Sequence, residues 1–258
     1  MSAECYPVSV LPHITQLYAD YLAMSEGAPD SALRTWYAGE PMSQAWVHAA
    51  AETCERDALA DALVAQSLAF AAGPAVFENI EKLRRGGARA VVTGQQVGLF
   101  GGPLLTLLKA ATAVARAREA TVATGVDHVP VFWLASEDHD LDEVDQVTLL
   151  TKRIVETLHL GLQGAGRPVG EVPLGDAVHG LLEHAGELLS FAPVWDMLRE
   201  FYTPGATLGG AFARFMTRLF AAYGLIVMDA SGRSFHRLGE STLRAAIERA
   251  GELEAALL

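Results

Sequence analysis

The sequence predicts an α/β fold built on a parallel sheet, from three observations. Two apolar runs, Ala88–Thr93 and Val129–Leu134, have the length and the β-branched or aromatic content of buried strands. The segment between them has helical periodicity, so strand, helix and strand follow one another within about 45 residues, the length of a parallel crossover unit. A third short apolar run, Leu225–Asp229, reads as a further buried strand that ends in an acid.

Residues 12–80 look helical. Leu17, Tyr18, Tyr21 and Leu22 fall at helical spacing, and Ala49–Phe70 is alanine-rich with scattered charge. The longest apolar stretch, Ala58–Phe77, is broken by Asp61, Gln66 and Ser67 and then by Gly73 and Pro74. It reads as an amphipathic helix, too short and too polar to span a bilayer. Gly86 and Gly87 end the region after Lys82, Arg84 and Arg85, cations that suit a helix C-terminus.

After the strand at Ala88–Thr93 comes a glycine-rich turn, Gly94–Gly102. Pro103 then opens a helix at its first position, where a missing N–H costs nothing. That helix is expected to run to about Arg118, with Leu104, Leu107, Leu108, Ala111 and Val114 on its apolar face. In the second strand Phe132 and Trp133 are assigned to the core. Gln146–Leu150 and Ile154–Leu160 read as a hairpin around Lys152 and Arg153, followed by a glycine-rich loop at Gly161–Gly170. Helices are expected at Asp176–Leu189 and Leu208–Tyr223, the latter with Phe212, Phe215, Leu219 and Phe220 on one stripe. From Phe235 the chain is again helical and rich in Ala, Glu and Arg. Its pattern meets no cap at Leu257 and Leu258, the expectation for a helix that continues as a coiled coil. The expected organisation is a helical segment (1–87), a core with an inserted connecting segment (88–232) and the start of a long helix (233–258).

Composition narrows the function. With 51% hydrophobic and 19% charged residues, the 258-residue chain buries a core rather than remaining disordered. A net charge of −12 argues against a nucleic-acid backbone as partner, since each phosphate contact needs a Lys or Arg, but leaves small anions open. Cys5 and Cys54 have no CxxC spacing, so neither a disulfide framework nor a cysteine zinc site is expected. The N-terminus lacks a basic region followed by an apolar run and is no signal peptide. A soluble, cytoplasmic protein is the expectation.

Two segments have the residue types of a site. Thr93, Gly94, Gln95, Gln96, Gly98, Gly101, Gly102 and Pro103 lie between a buried strand and a helix start. Glycines allow close backbone approach, the free N–H groups of a helix N-terminus attract phosphate or carboxylate, and ligands bind at the C-terminal ends of parallel strands. Lys109, two turns on, is a candidate anion partner. The spacing matches neither GxGxxG nor GxxxxGK[ST]. The plainer alternative is an ordinary tight connection. The second segment is Glu137, Asp138, His139 and Asp140, with Asp142, Glu143 and Asp145 behind it. A histidine among carboxylates can serve as base or donor near neutral pH, and a divalent cation is an option for such an oxygen-rich group. The alternative is a solvated loop in which Asp140 or Asp142 caps the next helical turn. Both segments end strands of one crossover unit and should face one crevice, to which Asp229 is a third candidate contributor. His13, His48, His128, His159, His179, His184 and His236 are isolated and read as surface or structural. Tyr202–Thr207 is a turn that reads as a substrate loop or, equally well, as a connection in which Thr207 caps a helix.

Three stretches carry a resemblance: TGQQVGLFGGPLLTLLK at Thr93–Lys109, VPVFWLASEDHDLDEV at Val129–Val144, and the block from YTPGATLGGAF at Tyr202 to GLIVMD at Asp229. In these the chain resembles the bacillithiol biosynthesis cysteine-adding enzymes, described as cysteine ligases. The resemblance implies a Rossmann-like core with connecting insertions and a coiled-coil domain that supports a homodimer. It also implies addition of cysteine to glucosaminyl-malate. Amide formation from a carboxylate needs activation, so a nucleotide is expected, ATP first. Relatives commonly carry aromatic side chains where this sequence has Leu105 and Leu108. Two other classes stay open on the residues alone: a nucleotidyl-transferring or sugar-nucleotide enzyme, and a non-catalytic binding fragment dimerised by its last helix.

Overall fold

The computed structural model describes residues 10, 12–24, 31–37, 45–48, 55–151, 154–164, 166–189 and 193–257. Cys5 and Cys54 lie outside them. The chain divides into two compact units, Met1–Glu52 and Thr53–Leu258. The first holds helices α1 (Gln16–Ala23) and α2 (Ser31–Trp36) and a 3-10 turn at Ala45–His48. Thr15 caps α1 by accepting a hydrogen bond from the Tyr18 amide.

The second unit begins with α3 (Arg56–Ala69) and α4 (Pro74–Arg85). The single amphipathic helix expected over Ala58–Phe77 is therefore two. Ala71 takes a left-handed φ of 57°, and Pro74, which has no N–H, starts the new helix. Next come β1 (Arg89–Gln96), α5 (Leu104–Thr124) and β2 (His128–Ala135). The short helix α6 (Leu141–Val144) leads into an antiparallel hairpin of β3 (Gln146–Leu150) and β4 (Val155–His159), as expected from the sequence. Helices α7 (Ala177–Leu189), α8 (Trp195–Phe201) and α9 (Leu208–Leu219) precede β5 (Ile226–Asp229). The sequence reading had no α8 and carried α9 four residues too far; Phe220 ends the helix and a 3-10 turn at Ala221–Tyr223 follows. The last segment is α10 (Arg233–Glu248) and α11 (Ala250–Leu257), interrupted at Arg249 rather than one continuous helix.

The main sheet is parallel, in the order β1-β2-β5, which is the α/β architecture expected. Alternation along β2 builds two cores. Val129 and Val131 face α3 and α4, joining Leu63, Val76, Ile80 and Ile226. Phe132 and Leu134 face the other way, against Phe212, Phe215 and Met216 of α9. Trp133, assigned to the core from sequence, is 46% exposed, because the first of these faces is not covered at its C-terminal end.

Helix α5 corrects part of the expected stripe, keeping Val114 buried and Leu107 packed against the core. Its buried face is Thr106, Ala110, Ala113, Val114, Ala117 and Ala120, while Leu104, Leu105 and Leu108 are exposed. Small side chains let the helix lie close on β1 and β2, and that closeness decides which face turns inward. The helix also runs six residues past Arg118, ending where Gly125 adopts the left-handed conformation. Among the described residues no helix is long and apolar enough to cross a membrane.

Candidate active site

Strand β1 does not stop at Thr93. Gly94, Gln95 and Gln96 continue the ladder, opposite Trp133, Leu134 and Ala135 of β2. The expected turn from Gly94 is thus three residues shorter, because β2 is long enough to pair all of them. Gly94 is required there: a Cβ would lie 2.7 Å from the Trp133 carbonyl oxygen. The turn itself is Val97–Pro103, wound round a 3-10 segment at Leu99–Gly101. Its backbone is left-handed at Phe100 (φ 52°), Gly101 (φ 91°) and Gly102 (φ 70°). For Phe100 this costs about 1–3 kcal/mol. Burial of the Phe100 ring contributes about 1.5–3 kcal/mol, so the two nearly cancel. Two hydrogen bonds settle the matter: the buried Tyr202 hydroxyl donates to the Gly98 carbonyl and accepts from the Gly101 amide, each at 3.1 Å. The Tyr202 and Phe100 rings meet edge to face, with centroids 5.1 Å apart. Burial pushes the Tyr202 phenol well above its ordinary pKa, so it stays protonated and can fill both roles.

Pro103 is the N-cap of α5 and not its first helical residue, with φ −64° but an extended ψ of 153°. It offers no side-chain cap. The amides of Leu104 and Leu105 therefore open a 21-residue helix without intrahelical acceptors, where the helix dipole favours an anion. Lys109 reaches back over this start, donating to Gln95 Oε1 at 2.7 Å and to the Gly94 carbonyl at 3.3 Å. The cation is thereby anchored at the end of β1 and not left in solvent. Lys109 also borders an open groove of about 290 Å³ with Val92, Thr93, Leu105 and Leu108, which is where Thr93 sits.

The acidic segment follows β2 and meets β1 through one contact: the Gln96 amide donates to Asp138. Asp138 also accepts from the His139 amide at 2.7 Å. These bonds, the Gln96 one foremost, favour the charged form and hold the Asp138 carboxyl below the usual carboxylate range. The other three residues diverge. Glu137 pairs with His236 of α10 at 2.9 Å. His139 is 84% exposed, with its nearest carboxylate, Asp138, at 3.7 Å, so it is not enclosed between acids as the sequence suggested. Asp140 caps α6, accepting from the Glu143 amide. Among the described residues no three His, Cys, Asp or Glu side chains converge as a metal site.

Asp229, at the end of β5, joins the same sheet edge. Its carboxylate accepts from the hydroxyls of Ser136 and Ser231. Its backbone is clamped by the Gln66 side chain, which donates to the Asp229 carbonyl at 2.9 Å and accepts from its amide at 2.8 Å. Below Ser136 the chain stacks backbone on backbone. A Cβ on Gly170 would lie 2.5 Å from Ser136 Cβ, and one on Gly209 would lie 2.8 Å from the Gly170 carbonyl oxygen.

The sheet edge thus unites Gly94–Pro103, Lys109, Asp138 and Asp229, and leaves His139 and Asp140 at its rim. Sequence reading missed Tyr202, Ser136, Gln66 and His236. His236 and Tyr202 were given structural readings as an isolated histidine and a turn residue; only chain topology brings them to the site, from 99 and 104 positions away.

The family model for the bacillithiol biosynthesis protein BshC, N-terminal Rossmann-like domain, matches residues 1–258. A protein of Koribacter versatilis named "Putative cysteine ligase BshC" is 41% identical, over all of this chain and 48% of its own length. Proteins of the same name from Salinibacter ruber (33% identical; 96% of this chain, 46% of the relative) and Geobacillus thermodenitrificans (34%; 96% and 47%) are similar over the same region. The chain spans about half the length of the curated relatives it matches. It belongs to the BshC family and corresponds to that family's N-terminal Rossmann-like domain.

Proposed function

We propose that this chain carries part of the active site of a cysteine ligase of bacillithiol biosynthesis, which joins the carboxyl group of cysteine to the amine of glucosaminyl-malate. The observation that carries the reading is the pairing at one sheet edge of an uncapped helix N-terminus with a hydrogen-bonded carboxylate, linked through Gln96 and Asp138. In a protein related throughout to proteins named cysteine ligases, that pairing suits the reaction's two needs.

A carboxylate does not acylate an amine at neutral pH, so the reaction requires an activating nucleotide, with ATP the candidate. It would supply the leaving group that the cysteine carboxylate lacks. The amides of Leu104 and Leu105 and the Lys109 ammonium suit phosphate or malate oxygens. The attacking ammonium must lose one proton to become a nucleophilic amine, and the amine sheds a second as the C–N bond forms and the activating group departs. Asp138, held ionised by Gln96, suits binding and orienting that ammonium, and His139, free to solvent, suits carrying a proton away. A homodimer formed through the helices that begin at Arg233 belongs to the same reading.

Mass spectrometry of products from ATP, cysteine and glucosaminyl-malate tests it in the full-length protein. A cysteinyl adduct is expected, with formation lost on Gln95→Ala and on His139→Ala. A nucleotidylated product instead would assign the crevice to a nucleotidyl transferase. Normal adduct from both variants would sink the site assignment.

A further inference from the structure

We infer that Tyr202 is a positioning residue of this site, acting through the glycine-rich turn on the helix start that meets the anionic ligand. The inference rests on the reading of that helix start as an anion site.

Three hydrogen bonds tie the backbone of the turn. The Gly102 amide donates to the Leu99 carbonyl at 2.9 Å. The Gly101 amide and the Gly98 carbonyl are both taken by the Tyr202 hydroxyl. At the head of α5 the amides of Leu104 and Leu105 have no intrahelical acceptor. Where these point depends on the three left-handed residues before them, Phe100 to Gly102. That conformation is held at two places. On one side Phe215 presses on Gly101, with no room for even a Cβ. On the other side the Tyr202 hydroxyl tethers the turn, and Tyr202 is wholly buried. A phenylalanine at 202 would keep the ring against Phe100 and the packing in the core. It would lose only the tether, leaving a donor and an acceptor of the turn unpaired. The turn should then sample other backbone states while the sheet and α9 stay as they are. A ligand that binds one of those states pays for the others through its apparent affinity.

Three measurements on full-length Tyr202→Phe test this. Hydrogen exchange is expected to rise at least tenfold at Leu99–Leu105 and to stay within about twofold in β2 and α9. Calorimetric affinity for inorganic pyrophosphate is expected to fall at least tenfold. In turnover, KM for ATP should rise by the same factor while kcat changes less than threefold. A uniform rise in exchange, or unchanged pyrophosphate affinity with a lower melting temperature, would reduce Tyr202 to a core residue and overturn the inference. So would failure of the unmodified protein to bind pyrophosphate. If the unmodified protein makes no cysteinyl product, the ligase reading fails alone, and exchange and pyrophosphate affinity still decide the role of Tyr202. Should Tyr202→Phe not fold, Phe215→Leu loosens the turn from the opposite side and must give the same local exchange and a smaller fall in pyrophosphate affinity; absence of both changes would overturn the inference.

Discussion

The glycine-rich turn and the acidic segment end neighbouring strands, yet they are built on opposite plans. At the turn Leu99, Phe100 and Gly101 are buried and the backbone is tied at Gly98, Leu99, Gly101 and Gly102. In the acidic segment the backbone is pinned from one side, the Ser136 and Asp138 carbonyls accepting from the amides of Gly170 and Val169. Its side chains reach outward to separate partners: Asp138 to Gln96, Glu137 to His236, Asp140 to its own helix. The difference teaches how one edge can serve both parts of the proposed condensation. Fixed backbone dipoles hold charge that is present throughout, and they work best when they cannot relax. Groups that take up or release protons need water and freedom to move, which a half-exposed segment keeps.

The comparison breaks most visibly at Gly101. Gly101→Ala adds a left-handed strain of about 1–3 kcal/mol and a collision with Phe215 of similar size. The expected loss is about 3 kcal/mol in chemical denaturation, far beyond what any side-chain truncation in the acidic segment should cause. An alanine variant as stable as the parent would mean the turn is not clamped.

A smaller effect should appear at Asp138 and depend on pH. Its folded-state pKa is depressed, chiefly by the Gln96 amide and then by the His139 amide. Such a group contributes stability that is complete above the unfolded aspartate pKa of about 3.9 and is lost as pH falls through the lower folded value. Melting temperatures of Asp138→Asn and the parent are therefore expected to differ by a constant amount from about pH 8 to pH 5, and to converge in stronger acid. A gap that widens on acidification would contradict the Gln96–Asp138 bond. Smallest of all is the Glu137–His236 pair, which is half exposed on both sides. A double-mutant cycle with Glu137→Gln and His236→Gln should give a coupling below about 1 kcal/mol. A larger value would mean that the acidic segment is held as firmly as the turn.

Much of this edge was legible in the residues. The β-branched runs gave the strands, the helical period gave the crossover, and the two together put Thr93–Pro103 beside Glu137–Asp140. What escaped has physical causes. Gly94–Gln96 carry no strand preference and pair only because β2 is equally long. The leucines of α5 looked like its core face, but its alanines are the side chains buried, and Leu104, Leu105 and Leu108 stay exposed. Tyr202 gave no local signal, since its two hydrogen bonds cross more than a hundred residues. Four side chains that appeared as one acidic group separate because each finds a different neighbour in space.

The stack of Gly209 on Gly170 on Ser136 has one more consequence. Where segments touch through main-chain atoms and a single Cβ, their separation is a property of the main chain and no larger side chain sets it. The stack works as a fixed gauge between the head of α9, the loop after β4 and the end of β2, with Asp229 fastened to its far end. Side chains around the crevice could be exchanged to suit another amine or another acid, and the gauge would still return the same spacing. The reach of the site is thus written in glycine, and its chemical taste in whatever is mounted on top.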